Sequence, residues 1–265
     1  MTTSPFDPDI SRVGHMLADA ARAAILPHFR AANLTAENKL AEGFDPVTVA
    51  DKASEKAMRE ILAQERPQDG ILGEEYADTP SQSGLTWVLD PIDGTRGFVS
   101  GTPTWGVLIA LSDANGPFYG IIDQPYIGER FEGTPDKAQM TGPMGQATLS
   151  TRATKTLAEA IVFTTFPEVG TETDAKGFRA VASQAKLTRY GMDCYAYALI
   201  AAGQVDLVIE AGLAAYDIQA PIAVVQAAGG IVTDWQGGPV HEGGRALAAA
   251  NPEIHAQALA ILRNY

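Results

Sequence analysis

The segment Trp87-Val-Leu-Asp90-Pro-Ile-Asp93-Gly-Thr95 constrains this chain more than any other. An apolar run rich in strand-forming residues ends directly on two carboxylates, and a proline and a glycine between and after them bend the backbone. Carboxylates at the end of a buried strand point into a cleft. The bend lets Asp90, Asp93 and the intervening Ile92 carbonyl face one point, an oxygen-rich arrangement suited to a hard divalent cation. The same letters also describe a turn in which two aspartates cap neighbouring amides, so the choice between them rests on what other acids the chain brings to the same place.

Three further segments offer such acids, each with a plainer reading beside it. Ile71-Leu-Gly73-Glu74-Glu75 places two acids after an apolar pair and a glycine, where a strand runs out, although adjacent glutamates are mostly solvated. Thr48-x-x-Asp51 has the spacing of a capping box at a helix start. Tyr216-Asp217 opens a helical pattern after the apolar run Leu207 to Glu210, where an aspartate also serves as a cap.

Around these segments the pattern divides the chain. Asp7-Pro8 followed by Ile10, Val13, Leu17, Ala20, Ala24 and Ile25 predicts a first helix ending near Pro27; residues 31–46 are polar and irregular; Val49, Ala53, Ala57, Ile61 and Leu62 predict a second helix that stops before Pro67. Short apolar runs at Trp87–Leu89, Trp105–Leu111, Phe118–Ile122 and Arg130–Glu132 predict an antiparallel sheet. Beyond about Leu149, strand candidates at Ile161–Phe166, Leu187–Tyr190, Leu207–Glu210 and Ile231–Thr233 alternate with helices, and a last helix starts at Asn251-Pro252. The expected organisation is an N-terminal lobe, residues 1–150, carrying the antiparallel sheet and the main acidic motifs, and a C-terminal α/β lobe, residues 151–265, supplying Asp217 and substrate contacts.

Bulk properties exclude several function classes. A net charge of −13 lacks the clustered Lys and Arg that neutralise nucleic-acid phosphates. The most apolar stretch, Tyr195 to Tyr216, is interrupted by Gln204, Asp206 and Glu210, which argues against a membrane span. Cys194 is the single cysteine, so neither a disulfide framework nor a multi-thiolate zinc site is expected. The start of the chain shows neither a basic nor an apolar targeting stretch, which predicts a cytoplasmic protein. No Gly-x-Gly-x-x-Gly follows an early strand, against a Rossmann dehydrogenase.

Taken in order, Asp51 ending Val-Thr-x-Ala-Asp, Glu74 in Gly-Glu-Glu, Asp90-Pro-Ile-Asp93-Gly-Thr95, and Asp217 ahead of a helix leading to Ala228-Gly-Gly230 resemble the inositol monophosphatase family along nearly the whole chain. The resemblance implies an α+β fold, a layered α-β-α-β-α sandwich of the inositol monophosphatase and fructose-1,6-bisphosphatase type, with the site between its sheets. It implies a Mg²⁺-dependent phosphomonoesterase in which Glu74, Asp90 and the Ile92 carbonyl hold one ion and Asp90, Asp93 and Asp217 a second. A third ion near Glu74 is compatible with it. Thr95 paired with Asp51 would assist the attacking water, Glu74 being a further candidate base, and the Gly94 and Thr95 amides would receive the phosphate. Lys39 matches a family lysine near the site, a place where a solvated surface lysine also fits. Within the family, Asp93-Gly-Thr-Arg96, Trp105-Gly, Gly120-Ile-Ile-Asp-Gln-Pro125, Gly128-Glu-Arg130 and Gly191-Met-Asp193-Cys-Tyr195 resemble the histidinol-phosphatase branch. The implied substrate, histidinol phosphate, carries an ammonium and an imidazole. Asp193 and Glu210 are then the substrate contacts, although Asp193 also sits where a cap for the helix Cys194 to Ala202 belongs. Inositol monophosphatase or broad sugar-phosphatase activity is the alternative, a non-catalytic binder is disfavoured by the complete ligand set, and a homodimer is the common family assembly.

Overall fold

A computed structural model describes residues 6–32, 36–38 and 46–265; Lys39 lies outside the described residues. Helix α1 (Pro8–Ile25) opens as its residues dictate: the Asp7 carboxylate accepts the Asp9 N–H at 3.0 Å, and Pro8, which has no N–H to satisfy, sits at the helix start. Its stripe Ile10, Val13, Leu17, Ala21 and Ile25 is buried. A short antiparallel ribbon of β1 (Ala36–Asn38) and β2 (Pro46–Thr48) leads into α2 (Val49–Glu65). The capping box forms there: Thr48 Oγ1 accepts from Ala50 N–H at 3.1 Å and Asp51 Oδ2 accepts from Thr48 N–H at 2.8 Å.

The first sheet contains β3 (Gly70–Gly73), β4 (Thr86–Asp93) and, after the short helix α3 (Thr95–Ser100), β5 (Gly106–Asp113), β6 (Gly116–Gln124), β7 (Glu129–Gly133), β8 (Ala138–Gly142) and β9 (Gly145–Thr148), ordered as they occur in sequence. From β4 onward neighbours are antiparallel, as expected, but β3 runs parallel to β4. Residues 74–85 carry the chain back to the start of the sheet instead of reversing it in a hairpin. β3 and β4 therefore end at the same edge, with Gly73 opposite Leu89, and Glu74 emerges beside Asp90. β8 and β9 were not expected, because β9 is exposed along its length and carries no apolar alternation.

The second sheet is built from β10 (Ile161–Thr164), β11 (Leu187–Tyr190), β12 (Leu207–Leu213), β13 (Ile231–Asp234) and β14 (Gly244–Ala249) in the order β11-β10-β12-β14-β13. Helix α4 (Glu172–Ala182) precedes β11, α5 (Tyr195–Ala201) and α6 (Ala215–Ala227) flank β12, and α7 (Pro252–Leu262) follows β14. β14 reads Gly-Arg-Ala-Leu-Ala-Ala, a composition that favours helix by intrinsic propensity; pairing with β12 and β13 overrides it.

Alternation along the strands sorts the side chains into layers. Trp87, Leu89, Val107, Ile109, Leu111 and Ile121 pack against α1 and α2, while Val88, Leu108, Ala110 and Ile122 face α5 and α6. On the second sheet Val208, Ala246 and Ala248 face the same two central helices, and Leu207, Ile209, Leu247 and Ala249 face α4 and α7. The result is the five-layer α-β-α-β-α sandwich. No helix among the described residues is long and apolar enough to cross a membrane.

Helix α6 lies directly on the first sheet because β7 presents Gly133 to it. A Cβ at Gly133 would stand 2.6 Å from both the Ala223 carbonyl oxygen and the Val224 Cα, backbone atoms that cannot rotate away. Gly133→Ala should therefore lower stability by about 1–3 kcal/mol, seen as a lower urea midpoint at unchanged slope. An unchanged midpoint would show that α6 can lift from the sheet without cost.

Candidate active site

The site forms where β3 and β4 of the first sheet, β10 and β12 of the second, and the start of α6 run out into one cleft of about 280 Å³. On β4, Asp90 is opposite Leu108 and Asp93 is opposite Gly106, so three steps along β4 match two along β5. This is a β-bulge. In a regular strand, residues three apart point to opposite faces; the extra residue returns Asp90 and Asp93 to the same side. Pro91 sits inside the bulge, where its missing N–H costs the ladder least, and Asp90 Oδ1 accepts the Ile92 N–H at 3.0 Å. Across the cleft, Asp217 lies in the first turn of α6, where its Oδ2 accepts the Ala214 N–H at 2.7 Å. One carboxylate oxygen from each of Asp90, Asp93 and Asp217 lies within 4.8 Å of the others, and Glu74 lines the cleft beside them.

Behind this trio stands a hydroxyl with two acceptors. Thr95 Oγ1 is 3.0 Å from the Ile92 carbonyl and 3.4 Å from Asp51 Oδ1, while the other oxygen of Asp51 holds the start of α2. Asp51 is 1% exposed, so its capping role and its approach to Thr95 coexist. Gly94 precedes Thr95 in the left-handed conformation, φ 84° and ψ 40°, and a Cβ there would lie 2.6 Å from Asp193 Cγ. Only glycine satisfies both demands.

Asp193 does not cap α5. That helix begins at Tyr195, and the Cys194 N–H just ahead of it is taken by Asp93 Oδ2 at 2.6 Å, so an aspartate at the end of β4 anchors the start of α5. Asp193 instead adopts φ +47° and turns its carboxylate over Gly94 toward Thr104 Oγ1, at 3.3 Å. Glu210 is held from β10: Oε1 accepts from the Thr165 N–H at 2.7 Å and its hydroxyl at 2.9 Å, and Oε2 accepts from Thr164 Oγ1 at 3.1 Å. Thr104, Thr164, Thr165 and Phe166 were not singled out from sequence, and Arg96 entered only through the motif Asp93-Gly-Thr-Arg96. Thr164-Thr165 ends an apolar run as Asp90 does, a usable signal; Thr104, in an irregular loop, offers none.

The electrostatics identify what the cleft requires. Burial, then Glu74, Asp93 and Asp217, push the Asp90 carboxyl well above its usual range. Burial, then Asp193 and Asp217, do the same to Asp93, partly opposed by the Cys194 N–H. Burial likewise raises Asp51, against the Thr48 hydrogen bonds. Several carboxylates converging out of water repel one another, and a divalent cation with oxygen preference is the group that relieves this. The donor set fits Mg²⁺. A cysteine nucleophile does not fit, since Cys194 is 2% exposed and burial raises its thiol well above the usual range. None of the four histidines lines the cleft.

Comparison with known proteins agrees with this layout. The sequence profile described as "Inositol monophosphatase family" matches residues 9–265, and the chain belongs to that family of metal-dependent phosphatases. It is 40% identical over 258 residues to the bifunctional phosphatase IMPL2, chloroplastic, of Arabidopsis thaliana, covering 93% of this chain and 73% of the relative. It is 34% identical to the histidinol-phosphatase of Streptomyces coelicolor over 96% of this chain and 97% of that one. Among solved structures, an inositol monophosphatase from Zymomonas mobilis superposes with a TM-score of 0.86 at 39% identity, over 98% of this chain and 100% of that one.

Glu210 gives the site a pH signature of its own. Burial, only partly offset by the Thr165 and Thr164 hydrogen bonds, pushes its carboxyl up to about 7 from 4.5, with Asp193 adding to the rise. The folded state thus binds this proton more tightly than the unfolded chain. Its contribution to stability is full below about pH 4.5 and is lost as pH rises to about 7. Glu210→Gln removes the loss, so with EDTA present the variant should gain on the wild type by up to roughly 3 kcal/mol between those pH values in denaturant unfolding. Parallel stability curves would show that Glu210 does not titrate in this range.

Proposed function

We propose that the protein is a Mg²⁺-dependent phosphomonoesterase whose substrate is histidinol phosphate. The observation that carries the reading is the convergence of Asp90, Asp93 and Asp217 within 4.8 Å, beside Glu74 and the Thr95–Asp51 pair. Glu74, Asp90 and the Ile92 carbonyl would hold one Mg²⁺, and Asp90, Asp93 and Asp217 a second, with Asp90 shared. The same acids would leave room for a third, weaker ion near Glu74. Bound Mg²⁺ would neutralise the phosphate and lower the pKa of water that attacks in line.

The remaining steps belong to the chain's own groups. The Gly94 and Thr95 amides stand in the first turn of α3, where backbone N–H groups lack partners within the helix, and would donate to phosphate oxygens. Thr95 Oγ1 would accept and pass the proton of the attacking water, with Asp51 behind it as acceptor and Glu74 as a further base. The alcohol portion would lie against Asp193 and Glu210. A substrate with an ammonium and an imidazole suits two carboxylates that face no metal-binding duty, and the left-handed backbone of Asp193 is the kind of local strain that clusters at ligand contacts. Lys39 is retained as a substrate contact on the resemblance alone.

Hydrolysis of inositol 1-phosphate is the second reading, favoured by the full-length likeness to the Zymomonas mobilis structure. The two separate on kcat/KM measured side by side with Mg²⁺ and with EDTA. Histidinol phosphate should be preferred at least ~100-fold, about 2.7 kcal/mol of transition-state discrimination, and only with Mg²⁺. Asp193→Ala should raise KM for histidinol phosphate about tenfold and leave a neutral ester nearly unchanged. Comparable turnover of the two substrates would overturn the substrate assignment, and equal KM effects would remove Asp193 as the cation contact.

A further inference from the structure

The end of β10 does more than orient Glu210. The residue after Thr165 is Phe166, which lines the cleft yet is 42% exposed, an unusual position for a phenyl ring beside an acidic site. The Arg96 guanidinium, reaching from α3, lies over this ring with its central carbon 4.9 Å from the centroid. The ring face is therefore oriented to receive a flat cation and already holds one. Asp193, on whose carboxyl Arg96 acts against the raising effect of burial, and Glu210 also line this cleft. The alcohol end of the cleft thus combines two acids with one aromatic face.

We infer that Phe166 is a specificity-determining residue: its ring forms the wall against which the planar, cationic part of the substrate alcohol stacks, in the place that the Arg96 guanidinium takes over that ring. Asp193 and Glu210 recognise charge and would accept any amino alcohol, whereas an aromatic wall distinguishes a flat ring from a saturated or acyclic group. Glu210 and the wall are set by one backbone segment, because Thr164, Thr165 and Phe166 are consecutive and the two threonines already fix Glu210. This inference rests on the proposed substrate class and adds the residue that reads its shape.

The test compares wild type, Phe166→Leu and Phe166→Tyr on histidinol phosphate, phosphoethanolamine and inositol 1-phosphate. Leucine keeps apolar volume and removes the ring face; tyrosine keeps the face. Phe166→Leu should raise KM for histidinol phosphate about fivefold or more, in line with a stacking contribution near 1 kcal/mol, change the other two less than about twofold, and leave kcat on all three nearly constant. Phe166→Tyr should restore the wild-type KM. Equal changes on all three esters, or none on histidinol phosphate, would overturn the role of Phe166 while leaving the proposed function intact. Failure of the wild type itself to hydrolyse histidinol phosphate would instead remove the proposed function, and this inference with it.

Discussion

Mutual repulsion among the carboxylates of Asp90, Asp93, Asp217 and Glu74 is the constraint on which the rest of the structure turns. Left to elementary electrostatics, acids brought together out of water either take up protons or move apart. Here the scaffold forbids moving apart. The β4 bulge fixes Asp90 and Asp93 on one side, the parallel β3 delivers Glu74 next to them, and α6, pressed onto the sheet at Gly133, holds Asp217 opposite. Asp93 is additionally tied to the Cys194 N–H ahead of α5. The cluster is thus suited to a cation, and the same framework that imposes the cost of repulsion holds together oxygen atoms that could bind one.

The walls of the cleft are divided between the two sheets. Most of the acids that suit a metal, and the Gly94–Thr95 amides, come from the first sheet and its edge. The far side of the cleft, with Asp193, Glu210 and the Thr165–Phe166 segment, is carried by the second sheet and the turns beside it. Such a division lets one phosphoryl-handling centre serve different alcohols by changing a few residues on the far side, which is consistent with a family whose members carry both histidinol-phosphatase and inositol monophosphatase names.

Much of this was legible in the sequence because local chemistry and tertiary role coincide. Asp7-Pro8 starts α1, Thr48-x-x-Asp51 caps α2, and the apolar runs at Trp87–Leu89 and Leu207–Glu210 become strands of the core. The bulge was readable in part, since a proline and a glycine around two aspartates announce a bend. What was not readable depends on partners distant in sequence. β14 has helix-favouring residues and becomes a strand only between β12 and β13. β3 becomes parallel through the path of the loop that follows it. Asp193 looks like a cap for α5, but its carboxylate turns to Thr104, 89 residues earlier, and the Cys194 N–H goes to Asp93. Gly97 likewise answers to neighbours that the fold supplies, since a Cβ there would lie 2.9 Å from Thr102 Oγ1 and 3.3 Å from Asp193 Oδ2.

The most direct measurement is thermal unfolding of metal-stripped wild type and Asp90→Asn, each with and without Mg²⁺. Asp90 is the most buried of the four acids, at 2% exposure, so neutralising it relieves desolvation and repulsion together. The account predicts that wild type is stabilised by Mg²⁺, whereas Asp90→Asn unfolds at a higher temperature than metal-free wild type, by about 1–3 kcal/mol of stability, and no longer responds to Mg²⁺. A wild type indifferent to Mg²⁺, or a variant that is less stable when stripped and still responds in full, would contradict a metal centre built on buried carboxylate repulsion.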